Sequence, residues 1–169
     1  AVRCDAERLI ASNNAFQVLW CNPPYDHDGA GTPGNKRIEL RYLRHSWKWA
    51  AEGGLVLWVV YQQHLTEFAA EFLARNASRV DVWALPGKHL NEYQQIIVAA
   101  VKGMSSNPEA LYEQIIAQKA QPRLLEVQLE PVYKLPPPHP ISRFVFAPDT
   151  IDEQQGLRLI EEGGAWKTQ

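Results

Sequence analysis

Asn22-Pro23-Pro24-Tyr25 is the stretch of this chain whose residue types and spacing best suit chemistry, and it closes the apolar run Leu19-Trp20-Cys21. Two successive prolines remove two backbone donors and fix φ, so the local carbonyls are held outward in a rigid array. The Asn22 side-chain oxygen and the Pro23 carbonyl can then accept both hydrogens of one exocyclic amine. Tyr25 offers a flat face to a planar ring, and base–aromatic stacking is worth about 1–3 kcal/mol. Such a site holds an NH2 group with no general base nearby. Methyl transfer from a sulfonium donor needs little more, because the donor is already activated and the task is to aim the nitrogen lone pair. Two hydrogen bonds that bend the amine out of conjugation make that lone pair available. The competing reading is a plain Pro-Pro turn at a strand end, with Tyr25 covering the core. The context favours chemistry: an apolar strand before, a Gly-rich loop after, then an amphipathic helix.

For that role the tetrapeptide must stand at the carboxyl end of a parallel strand, where open α/β sheets bind ligands. Residues 16–21 form a near-continuous apolar run, as expected of a strand covered on both faces. The proline pair stops it, because proline donates nothing to a sheet ladder. Residues 26–35 read as a loop rich in Gly, Asp and Pro. Residues 36–51 predict a helix with Leu40, Leu43, Trp47 and Ala50 on one buried face, ended by Gly53-Gly54. A second buried strand is expected at 55–61. A second helix follows at 65–76, with Leu65, Phe68, Ala69, Phe72 and Leu73 inward. Strands at 79–85 and 94–101 are joined by about ten residues with no helical pattern, which predicts antiparallel neighbours. The element order predicts an α/β sheet with parallel crossovers. Trp20, Trp58 and Trp83 sit in strand patterns and are expected in the core.

Outside this unit the signals are weaker. Residues 5–14 predict a short helix closed by Ser12-Asn13-Asn14. Asn107-Pro108 starts a helix over 107–118. Residues 124–132 alternate as a strand, and 135–140, with four prolines, form a stiff extended linker. A short strand at 144–146 and a helix at 152–162 complete the chain. The expected division is a sheet domain over 1–104 and a small α+β appendage over 105–169.

A net charge of −2 means that any nucleic-acid footprint is local. Arg37, Arg41, Arg44 and Lys48 fall at i, i+4, i+7 and i+11, one basic stripe on the helix 36–51 that suits phosphate contact. A solvated helix face is the bland alternative, and Asp26, Glu39 and Glu52 lie near enough to neutralise part of it. His27 and Asp28 follow the tetrapeptide closely and are candidates to line its pocket. Lys88, His89, Asn91 and Glu92 fill the loop between the last two sheet strands, a further candidate surface. Cys4 and Cys21 are too few for a disulfide framework, which points to a reducing cytoplasm. The five histidines show no ligand spacing, so no metal is expected. The apolar run at 55–61 is far too short to span a membrane, and no signal segment opens the chain.

With those residues in view, the stretch from Leu19 to Tyr25 resembles the catalytic motif of amino-group methyltransferases that use S-adenosylmethionine. It is most similar to the N6-adenine DNA methylases; rRNA methylases and release-factor glutamine methylases belong to the same superfamily. The resemblance covers residues 3–102. It implies a partial Rossmann-like methyltransferase sheet, mostly parallel, with an antiparallel terminal hairpin at 79–101. It implies Asn22 and Pro23 as amine acceptors, Pro24 as the rigid element, and Tyr25 as the stacking face. S-adenosyl-L-methionine is the implied cofactor and DNA the implied partner, with RNA or a protein glutamine as other substrates. In the family an acidic residue followed by a small one, upstream of the motif, touches the cofactor's adenine. Asp5 and Ala6 match that placing, although Asp5 also suits a helix cap.

Two family features find no match. The glycine-rich cofactor loop and the acid that binds the ribose belong well upstream of the motif. Gly29-Ala30-Gly31-Thr32-Pro33-Gly34 fits G-x-G-x-x-G in letters only, because no strand leads into it; a substrate-side loop suits it better. The expectation is therefore the carboxyl half of such a domain, with a bare apolar edge at strand 16–21. That edge would pair with a second copy or with a polypeptide that completes the sheet. A non-catalytic interaction module on the same fold is the reading from another class.

Overall fold

The computed structural model describes residues 8–24, 37–87, 92–125, 132–137 and 146–148. In chain order the elements are β1 (Leu9–Ala11), β2 (Phe16–Cys21), α1 (Ile38–Trp47), β3 (Ala50–Tyr61), α2 (Glu67–Asn76), β4 (Ala77–Ala84), β5 (Gln95–Lys102), α3 (Pro108–Ala120), β6 (Arg123–Leu124) and β7 (Phe146–Pro148). They fall into two compact units, Asn13–Ser142 and a smaller one made of Ala1–Ser12 with Arg143–Gln169.

The larger unit carries a five-stranded sheet in the order β2-β3-β5-β4-β6. β2 and β3 are parallel, as are β4 and β6, and β5 runs antiparallel between β3 and β4. This is the partial Rossmann-like α/β sheet expected, with β4 and β5 as its antiparallel hairpin. Alternate strand residues share one face, and one such set is buried with the helices. Val56, Trp58 and Val60 of β3, Val80 and Val82 of β4, and Ile96, Val98 and Ala100 of β5 form a single core with the three helices. Leu40, Leu43 and Trp47 of α1 enter it, as do Leu73 of α2 and Ile115 of α3. Burying each such side chain contributes about 1.5–3 kcal/mol relative to exposure.

Capping explains where two helices begin. Thr66 accepts a hydrogen bond from the Ala69 amide at the start of α2. Asn107 accepts one from the Ala110 amide, with Pro108 at the first position of α3, where its missing N–H is lost without cost.

Several expectations are corrected. Leu9–Ala11 is not helical: it pairs antiparallel with Phe146–Pro148, and strand pairing satisfies backbone groups that a short helix leaves open. That ribbon also moves the strand expected at 144–146 to Phe146–Pro148. Residues 1–7 and the helix expected at 152–162 lie outside the described residues. Gly53-Gly54 does not end the first helix. α1 stops at Trp47, β3 starts at Ala50, and the glycine pair lies within the strand, where the register against β2 shifts between Phe16 and Val18. Gly53 has φ +73°, and a Cβ on Gly54 would meet the Ala51 and Phe16 carbonyl oxygens at 2.8 and 3.1 Å. Of the strand expected at 124–132, β6 takes two residues and 126–131 lie outside the described set. Phe68 is exposed on α2 rather than inward.

β2 is not covered on both faces. Leu19 and Cys21 pack with the helix-side core, whereas Val18 and Trp20 are 45% and 59% exposed. Trp20 is therefore no core residue. It borders an apolar cavity of about 210 Å³ on the second face, with Leu57, Trp83, Ile97 and Tyr133 among its walls. Tyr133 belongs to a segment laid along this face. Its hydroxyl donates to Asp81 at 2.8 Å, and Arg79 lies over its ring at 4.8 Å while donating to the Val132 carbonyl. Among the described residues no helix is long and apolar enough to cross a membrane.

Candidate active site

Strand β2 places the tetrapeptide. Its last residue, Cys21, pairs with Trp58 in the parallel register with β3, so the carboxyl ends of both strands share one edge of the sheet. Asn22 and Pro24 are exposed at that edge and Pro23 is buried. A buried proline between two exposed residues fixes the turn while leaving the flanking polar groups at the surface. Tyr25, His27, Asp28 and the glycine-rich letters at 29–34 lie outside the described residues, as do Asp5 and Ala6.

The residue before the motif is a closed thiol. Cys21 is buried against α1, with the Ser46 hydroxyl 3.9 Å from its sulfur. Burial pushes the Cys21 thiol up to about 11, and the Ser46 contact opposes this only weakly. It remains a neutral thiol near neutral pH, with little nucleophilic character.

The basic stripe does not hold together. Arg41, Arg44 and Lys48 are exposed on α1, with the Arg44 guanidinium 5.6 Å from the centre of the Phe72 ring. Arg37 is drawn away from them. One of its terminal nitrogens lies 2.8 and 3.2 Å from the two ring nitrogens of His64 and 3.4 Å from Glu39 Oε1. With Nδ1 facing Glu39, Nε2 is the ring nitrogen left to accept, and Arg37 donates to it at 2.8 Å.

Glu39 is likewise not a surface neutraliser. It is 1% exposed, and its Oε1 lies 2.6 Å from His64 Nδ1. A carboxylate accepts, so Nδ1 carries the proton. His64 ends the short turn Gln62–His64 that follows β3, and Glu39 is in the first turn of α1. The cluster thus stands on the same sheet edge as the tetrapeptide, and a titratable pair is present where the sequence suggested a site with none nearby.

Tyr61, the last residue of β3, meets the His64 ring edge to face at 5.2 Å and 81°. Tyr61 and Asn22-Pro23-Pro24 thus lie at the carboxyl ends of two adjacent parallel strands, whose register is paired as far as Cys21 and Trp58. Sequence reading missed Tyr61, His64 and Glu39. The available signal was Tyr-Gln-Gln-His directly after an apolar strand, since polar groups at that position border the crevice of a parallel sheet.

Other surfaces are chemically different. A groove of about 710 Å³ between α2 and α3 is lined by Glu67, Glu71, Glu109 and Glu113, with Phe68 exposed in it. Its carboxylates repel phosphate, and it does not include the tetrapeptide. Of the loop expected between the last two strands, Lys88, His89 and Asn91 lie outside the described residues and Glu92 is exposed.

The glycines among the described residues lie away from Asn22. Gly53, Gly54 and Gly103 lie at the opposite end of the sheet, and Gly87 follows β4, away from β2. None of these glycines cradles a donor beside Asn22. The chain matches no curated protein and no solved structure. Over residues 8–136 it does match the uncharacterised methyltransferase family DUF6094, and with more than half of its length matched, including β2, the tetrapeptide and β3 to β5, the chain belongs to that family of methyltransferases.

Proposed function

We propose that this methyltransferase acts on an exocyclic amino group, most readily N6 of adenine in DNA, with S-adenosyl-L-methionine as methyl donor. One observation carries the reading. Asn22-Pro23-Pro24 follows the carboxyl end of a strand in a parallel pair, with Pro23 buried and Asn22 exposed. In this reading the Asn22 side-chain oxygen and the Pro23 carbonyl accept the two amine hydrogens, Pro24 keeps the turn rigid, and Tyr25 stacks on the base. The adenine is flipped out of its duplex to reach them. The donor supplies an activated methyl group, and the chain supplies the aim.

Arg41, Arg44 and Lys48 are the proposed phosphate contacts, with Arg37 and His27 nearer the motif. Asp5 and Ala6 are proposed on the donor side. The reading also includes a further strand beside β2, from a second copy or another polypeptide. Transfer to rRNA or to a protein glutamine uses the same amine chemistry and is distinguished by its weak response of binding to salt in the glutamine case.

The test is transfer of a labelled methyl group from S-adenosylmethionine to adenine-containing DNA. Asn22→Ala is expected to lower the rate at least 100-fold while leaving donor binding intact. Full activity in that variant would remove the proposed role of the tetrapeptide.

A further inference from the structure

Three buried or half-buried groups at the carboxyl end of the strand next to β2 have no part in holding the amine: Glu39, His64 and Tyr61. Their contacts form a chain. Glu39 Oε1 accepts from His64 Nδ1 at 2.6 Å, and the pair is 1% and 9% exposed. That fixed imidazole stands nearly perpendicular to the Tyr61 ring, with centroids 5.2 Å apart at 81°. Arg37 reaches the imidazole Nε2 at 2.8 Å and shares the same carboxylate oxygen at 3.4 Å. Putting an acid, a base and a guanidinium in so small a volume costs desolvation, and removing one member strands the others. The ring that this arrangement orients is Tyr61, at the carboxyl end of the strand next to the motif and only partly buried.

We infer that Tyr61 is a second aromatic wall of the substrate pocket, and that Glu39 and His64 are positioning residues acting through it. The inference rests on the reading of Asn22 to Tyr25 as an amine holder and narrows its substrate to a planar heteroaromatic base. A tyrosine held edge-on by a neighbouring ring is pre-oriented, so it loses little freedom when a base stacks on it. A primary carboxamide, as in glutamine, has no ring for such a wall to meet. The chain Glu39–His64–Tyr61 therefore favours a base over a side-chain amide for the same amine-holding motif.

The test compares binding of two single-stranded oligonucleotides of equal length, one rich in adenine and one abasic, by fluorescence anisotropy. The unmodified chain is expected to prefer the adenine strand. Tyr61→Ala should reduce that preference about tenfold, the scale of one base–aromatic stack, with the abasic affinity retained. Tyr61→Phe should restore most of it. His64→Asn should cost several-fold alone and nothing further in the Tyr61→Ala background, because a positioning residue has nothing left to position; thermal melting of each variant reports folding separately. Equal losses from His64→Asn in both backgrounds would assign it a merely structural role and overturn the chain of action. An unmodified chain without preference for the adenine strand overturns the proposal outright. If Asn22→Ala abolishes methyl transfer while Tyr61→Ala leaves the preference unchanged, the inference falls and the reading of the motif stands. If Asn22→Ala also leaves transfer intact, both fall.

Discussion

Cys21 sits between the core and the chemistry, and its environment decides which it serves. Burial raises its thiol from 9.0 to about 11, so the neutral form is favoured in the folded chain and the sulfur is a poor nucleophile. Tyr133 is raised from 10.0 to about 12, first by burial and then by the hydrogen bond it donates to Asp81. Both shifts have the same sign. The unfolded chain releases these protons at lower pH than the folded one, so stability is full below pH 9 and falls as the pH climbs through the raised values. For Cys21 two units amount to about 2–3 kcal/mol. Urea unfolding at stepped pH should show this decline, and Cys21→Ala should flatten the part between pH 9 and 11. An unchanged slope in that variant would rule out the thiol as its source. At this scale the tetrapeptide was legible because prolines act locally. Arg37 was not, since a helical stripe assigns it to solvent and only the fold brings His64 within hydrogen-bond reach of its guanidinium.

β3 shows how an element serves the site at its far end. Its amino end carries the irregular stretch with Gly53 and Gly54, which sets the register with β2 and so fixes which residues of the two strands end side by side. Gly54 has no room for a Cβ against two carbonyl oxygens, whereas Gly87 has a positive φ of 72° with nothing within 4 Å. Gly54→Ala is therefore expected to cost about 3 kcal/mol, through displaced backbone, and Gly87→Ala about 1 kcal/mol, through conformation alone. Denaturant midpoints of the two variants check this, and equal losses would show that the Gly54 contact is easily relieved. Most element types were readable from apolar periodicity. The glycine pair was misplaced because the same two letters serve as a helix stop or as a strand irregularity, and only the partner strand distinguishes these. Leu9–Ala11 was misread for the same reason: its partner lies more than a hundred residues away in sequence.

Across the whole sheet, the helices described cover one face and the second is covered in part by the segment around Tyr133. Among the described residues β2 pairs with β3 alone, and Val18 and Trp20 are exposed on it. An apolar strand at a sheet edge presents unpaired backbone groups and invites another strand. The proposed partner at β2 predicts a mass that rises with concentration in sedimentation runs, and Trp20→Lys should shift the chain toward the monomer. A single monomeric species at high concentration, unaltered by that substitution, would leave the edge without a partner. Charge at this scale separates two surfaces: Arg41, Arg44 and Lys48 on α1, and the carboxylates between α2 and α3. Phosphate suits the first and not the second.

By itself the sequence determined the strand–helix order of the sheet unit, its antiparallel hairpin and the methyltransferase reading, because hydrophobic period, turn chemistry and proline geometry are short-range. Tertiary structure alone decided that β2 pairs with β3, that Trp20 faces outward, and that Glu39, His64 and Tyr61 cluster at the carboxyl end of the strand next to β2. Tyr61 and His64 share the stretch that ends β3, but Glu39 lies on a separate one, in the first turn of α1. Only the parallel pairing of β2 with β3, and the packing of α1 across both, brings them to one edge, where burial gives their contacts strength.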